Sequence, residues 1–75
     1  MLTLKLMNRT TDNVRIVECD TVDIIRNGED TKIEVSVRDE ILEFLVSDDL
    51  NAAYHIAYVE NARGSTTEII RPKGK

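Results

Sequence analysis

Seven residues toward the C-terminus carry side chains from which a binding site can be built: Tyr54, His55, Tyr58, Arg63, Thr66, Thr67 and Arg71. Guanidinium groups grip phosphate or carboxylate through paired N–H donors. Tyrosine rings stack on flat ligands, and threonine hydroxyls donate hydrogen bonds. The set reads as a ligand site for a small nucleotide-like anion, with Arg63 or Arg71 in contact and Tyr54 or Tyr58 stacking nearby. The plainer reading puts the tyrosines in the core and leaves the arginines solvated.

Covalent or metal chemistry is poorly supplied. His55 is the only histidine and Cys19 the only cysteine, so one chain offers neither a two-histidine metal site nor an internal disulfide. Cys19, Asp20, Asp23 and His55 are the one metal-like set, and their spacing fits no zinc pattern. Glu18 and Asp20 flank the cysteine and disfavour its thiolate. The plain reading of the pair is a buried Cys19 and a His55 at the rim. Asp48-Asp49 reads as a helix start or a solvated turn. Gly28, Gly64 and Gly74 make no phosphate-cradling loop. Three aromatic residues are too few for a base-stacking platform. The expectation is a protein with no catalytic set, no metal and no cofactor.

Charge sorts the partners further. The net charge is −4, but it is unevenly spread. Residues 18–60 hold twelve acids against three bases, a net of −9, whereas residues 1–17 carry +2 and residues 61–75 carry +3. Duplex nucleic acid needs a basic stripe and is not expected as a partner. A small anion near the basic ends fits, as does a protein partner for the acidic middle. No apolar run approaches a membrane span or a signal peptide, so no membrane partner is expected. The single cysteine suits a reducing cytoplasm. A chain of 75 residues makes one small β domain, 1–75, and buries too little to be very stable alone, which favours self-association.

The elements that must position these residues read as strands. Leu2, Leu4 and Leu6 alternate with polar neighbours. Asn8 to Asn13 is a polar turn cluster. The inward phase changes between Val17 and Thr21, which predicts a bulge or bend there. Asn27-Gly28 signals a hairpin with two competing registers. A two-residue loop pairs Val22 with Ile33, and a four-residue loop pairs Ile24 with Ile33 and Val22 with Val35. Leu42, Phe44 and Val46 share one face of a further strand. Between Asp48 and Tyr58 the helical spacing of Leu50, Ala53, Tyr54, Ala57 and Tyr58 competes with the alternation of Tyr54, Ile56 and Tyr58. Strand is favoured, with a short helical turn at Asp48–Ala52 compatible with either.

The chain closes on a hairpin. A turn at Asn61-Ala62-Arg63 with Gly64 left-handed pairs Asn61 with Ser65. Val59 then faces Thr67, Ala57 faces Ile69, and His55 faces Arg71. Tyr54, Ile56, Tyr58 and Ile70 share one face and Ala57, Val59 and Ile69 the other. Both faces are apolar, so one is expected to cover the core and the other an interface, with a homo-oligomer formed through residues 53–71. The fold class expected is all-β: a five- or six-stranded meander forming a small barrel or sandwich. The alternative is α+β with a helix at about 48–61.

The stretch Ala57-Tyr58-Val59-Glu60-Asn61-Ala62-Arg63-Gly64-Ser65-Thr66 resembles the closing hairpin of small bacteriophage-encoded accessory proteins, which read roughly AYV-x-N-x-x-G-x-T. Ser65 stands where a lysine is common in them. The resemblance implies a non-catalytic phage protein in the host cytoplasm. Its expected role is inhibition of host defence, by sequestering a small nucleotide-like signal as a homo-oligomer. The competing expectation is an acidic inhibitor that binds a host protein as a nucleic-acid mimic.

Overall fold

The alternation at the N-terminus becomes the strand on which one sheet is built. In the computed structural model, which describes residues 1–27 and 30–72, β1 (Leu2–Met7) has Leu4 and Leu6 fully buried. It pairs antiparallel with β2 (Val14–Cys19) on one side and β6 (Ile56–Glu60) on the other. β7 (Thr66–Ile70) completes a four-stranded sheet in the order β2-β1-β6-β7. The second sheet is a three-stranded meander of β3 (Thr21–Asn27), β4 (Asp30–Val37) and β5 (Glu40–Val46).

The expected change of phase is a corner between the sheets. β2 ends at Cys19 and β3 begins at Thr21, so the single residue Asp20 carries the chain from one sheet to the other. Its N–H donates to the Ser36 carbonyl at 2.7 Å. Val17 and Cys19 before the corner, and Val22 and Ile24 after it, all turn into one core. That core joins Leu4, Leu6 and Ala57 of one sheet to Ile33, Val35, Phe44 and Val46 of the other.

Of the two β3–β4 registers, the observed one pairs Ile24 with Ile33 and Val22 with Val35. It stacks apolar residues on the inner face and sets Asp23 against Glu34 on the outer one. Residues 28 and 29 of the turn lie outside the described residues.

All-β is the class, as favoured over α+β, but two expectations are corrected. Among the described residues there are seven strands in two sheets, and these sheets do not close into a barrel. The chain is not a simple meander, because β6 returns to pair with β1. The helix at about 48–61 does not form. Tyr54 instead bridges to Val46, and Ile56–Glu60 extend along β1, where β-branched and aromatic side chains find cross-strand partners. Leu50, which the helical spacing would bury, is 79 % exposed.

The closing hairpin holds the expected turn. Asn61 N–H donates to the Ser65 carbonyl at 2.9 Å and Gly64 takes φ 82. The pairing then slips by one residue, because Thr66 faces Glu60 while Glu68 faces Val59. Thr67 is the extra residue of a bulge. The slip exchanges the last two apolar residues. Ile70 joins Ala57 in the core, and Ile69 moves beside Tyr58 on the outer face.

Candidate functional site

The seven residues read as one site do not converge. Tyr54 is half-buried and meets Phe44 edge-to-face, with ring centroids 6.1 Å apart. Tyr58 lies on the outer face of the four-stranded sheet, between Lys5 and Ile69. Arg63 and Thr66 are exposed at the turn end of the hairpin, and Thr67 Oγ1 donates to the Val59 carbonyl at 3.3 Å. Arg71 is at the opposite end, about 17 Å away at some 3.4 Å per residue. Only His55 and Arg71 of the seven share a cleft, and its other lining residues are Arg9, Asp48, Ile56 and Pro72.

Two loops build that cleft, and Asn8 ties them together. Its side-chain oxygen accepts from the Thr10 and Thr11 N–H groups at 2.9 and 3.2 Å, which curls the 8–13 turn. Its amide nitrogen reaches across to the Ala52 and Ala53 carbonyls at 3.2 and 3.0 Å. The second loop is curled by its own polar residues. Ser47 Oγ accepts from Asp49 N–H, and Asp49 Oδ1 accepts from Asn51 N–H.

His55 forms the floor, and it is buried instead of lying at the rim. It is 2 % exposed. Its Nδ1 accepts from the Arg9 N–H at 3.1 Å, so Nε2 carries the proton and donates to the Asp49 carbonyl at 2.9 Å. Both ring nitrogens are therefore committed to backbone. The imidazole fixes the loops and offers a ligand no free donor.

The rim is cationic. Arg9 stands above His55 and pairs with Asp48 at 3.3 Å, with both side chains more than half exposed. An ion pair that open is weak and exchangeable. Arg71 leaves the end of β7 on a backbone held by Thr31, whose buried Oγ1 donates to the Arg71 carbonyl at 3.2 Å. The cleft measures about 300 Å³, enough for a phosphate and part of what it is attached to. Two arginines against one aspartate give it the sign opposite to that of the whole chain.

The remaining chemistry-bearing residue lies elsewhere. Cys19 is 1 % exposed, and its Sγ sits 3.7 Å from the Leu2 carbonyl. Burial, and then the Asp20 carboxylate, push the thiol up. Among the described residues no group of three His, Cys, Asp or Glu side chains is placed to hold a metal ion, and no helix is long and apolar enough to cross a membrane.

Arg9 and Asp48, which line the cleft, and Asn8, which ties its two loops together, are what the reading of the C-terminal hairpin left out. Asn8 and Arg9 belong to a recognisable turn cluster, and the basic N-terminus was a further signal. Nothing local connects them to Arg71. No protein-family model, no curated protein and no solved structure matches this chain.

Proposed function

We propose that this chain is a non-catalytic binding protein whose ligand is a small, nucleotide-like anion held between Arg9 and Arg71. One observation carries the reading: arginines from the two ends of an acidic chain line one cleft over a buried, fully hydrogen-bonded histidine. Guanidinium pairs recognise phosphate by charge and by geometry together. An incoming phosphate displaces Asp48 from Arg9 and loses little by it, because that pair is exposed. The pre-set floor means that the loops need no reordering on binding.

The hairpin's resemblance to small phage-encoded accessory proteins supports a specific version: a host-defence inhibitor that sequesters a nucleotide signal in the host cytoplasm. The test is a panel of mono-, di- and cyclic nucleotides followed by melting temperature. A ligand that stabilises the chain should bind at least tenfold more weakly to Arg9→Ala and to Arg71→Ala, since each charge-assisted hydrogen bond contributes roughly 1.5–3 kcal/mol. Arg63→Ala, at the far end of the hairpin, should bind as the parent does. Loss of binding in Arg63→Ala alone would move the site to the turn. No response to any nucleotide would remove the reading.

A second reading rests on a different observation. Asp23, Glu34 and Glu43 face one another in one row across β3, β4 and β5 on the outer side of that sheet. Such a row suits an acidic inhibitor that presents carboxylates to a host nucleic-acid-binding protein. Co-purification that Glu34→Lys abolishes, without a nucleotide response, would favour it.

A further inference from the structure

We infer that the outer face of the β2-β1-β6-β7 sheet seats a second copy of this chain, face to face, about a twofold axis running along the strands. The registers lay that face out in rows. Val14, Met7 and Ile56 form the first, Ile16, Lys5, Tyr58 and Ile69 the second, and Glu18, Thr3, Glu60 and Thr66 the third. Val14, Ile16 and Ile69 are 50, 61 and 49 % exposed. Two of the three rows are thus mainly apolar and partly in water, and they extend well beyond the closing hairpin onto β1 and β2. A monomer rarely leaves such a patch open.

Its size suits a dimer. Four strands at about 4.8 Å and about 3.4 Å per residue make a face roughly 19 Å on a side. Covering it on two copies removes roughly 700 Å² of flat area from water, and more when side-chain relief is counted, close to the roughly 1,000 Å² that a specific interface needs. A short chain without a disulfide has the most to gain from that burial.

The pattern also selects the axis. Rotation about a line parallel to the strands, between β1 and β6, lays β1 over the other copy's β6 and β2 over its β7, and it keeps each row over itself. Ile16 then meets Ile69, and Met7 meets Ile56. Lys5 lies over the ring of Tyr58, where its stem packs and its ammonium faces π density. Glu18 meets the Thr66 hydroxyl and Glu60 meets Thr3, so no carboxylate faces another. Lys5 keeps Glu60 at 3.0 Å within its own chain, which leaves those two charges paired when covered, while Glu18 sits on the edge strand β2 at the rim. The other in-plane axis, across the strands, would press Glu18 and Glu60 onto the apolar first row and is disfavoured. Sheets stacked with their strands near-aligned are a common packing.

This inference does not rest on the anion cleft, and its test uses no ligand. Sedimentation equilibrium at about 100 µM should give twice the 8.5 kDa chain mass. Ile16→Glu should raise the dimer dissociation constant at least 100-fold and leave the far-UV spectrum unchanged. Ile41→Glu, equally exposed but on the other sheet, should leave the dimer intact. The Ile16→Cys, Ile69→Cys double variant should be linked between copies by a short reagent with two thiol-reactive ends, which spans the roughly 10 Å between stacked sheets, and neither single variant should be. Within one chain those positions lie three strands apart, about 14 Å, with side chains side by side instead of facing, beyond the reach of so short a reagent. The cross-link decides the matter should Ile16→Glu fail to fold. A monomeric wild type, dissociation by Ile41→Glu alone, or cross-linking of Ile16→Cys to itself would each overturn the proposal.

Discussion

Cys19 shows how one buried side chain sets a pH limit on the fold. Its thiol is shut from water and lies beside Asp20, and both effects raise its pKa above the ordinary 9.0. Below that value the folded and unfolded chains hold the same proton, and the contribution is fully present. Above it the unfolded chain loses the proton first, so stability falls as the pH rises toward the folded thiol's own pKa. Urea midpoints measured between about pH 8 and pH 10.5 should therefore decline faster for the wild type than for Cys19→Val, which has no proton to lose. Parallel curves would mean that the thiol is freer than its burial implies. Thr31 is the other residue where a single atom matters. It is fully buried, and its hydroxyl joins the two sheets by donating to the Arg71 carbonyl. Thr31→Val keeps the shape and strands that carbonyl, so it should cost about 1–2 kcal/mol in chemical denaturation. It should also loosen Arg71 over the cleft. A neutral Thr31→Val would show that water replaces the hydroxyl.

Two turns apply the same backbone rule with opposite expected signs. Gly64 has φ 82, and a Cβ built there meets nothing within 4 Å. Space is free, so only the left-handed backbone resists a side chain. Gly64→Val should lose roughly 1–2 kcal/mol on that account. Arg38, between β4 and β5, has φ 58 with a side chain already in place. Arg38→Gly relieves the strain and loosens the unfolded chain, for a net gain of about 0.5 kcal/mol. Opposite shifts in melting temperature would verify both turns, and a loss in Arg38→Gly would show that the arginine makes an offsetting contact. The first of these turns was legible in the sequence because everything it needs lies within five residues. The bulge two residues later was not. Thr67 is one of two adjacent threonines with little to choose between them, and the slip is settled by which isoleucine the core accepts. Ile70 fills it beside Ala57, so Ile69 goes outside.

On the scale of the molecule, local pattern foretold most of the strands and a bulge or bend between Val17 and Thr21, whereas long-range pairing made the cleft. Leu4 and Leu6 announce a buried face by alternation alone. That β6 returns to β1, and so lays Arg9 beside Arg71, depends on contacts that no window of residues contains. The same topology gives the two outer surfaces different characters: the four-stranded sheet turns two mainly apolar rows outward, and the three-stranded sheet sets a row of carboxylates between exposed Ile25, Ile41 and Leu45. The carboxylate row works against the fold, because Asp23, Glu34 and Glu43 are direct cross-strand neighbours. Like charges so placed destabilise. Lys32 offsets part of this through its 3.2 Å pair with Glu43, which leaves Glu34 between two carboxylates with no ion pair of its own among the described residues. Glu34→Gln should therefore raise stability by roughly 0.5 kcal/mol at low ionic strength. The gain should shrink toward zero near 0.5 M salt, where the screening length is only about 4 Å. Wild-type melting temperature should correspondingly climb with salt more steeply than that of the variant. A Glu34→Gln gain that ignores salt would assign the effect to packing. A stable variant that no longer captures a host protein would mean that the repulsion is kept for binding, since functional surfaces are often held at a cost in stability.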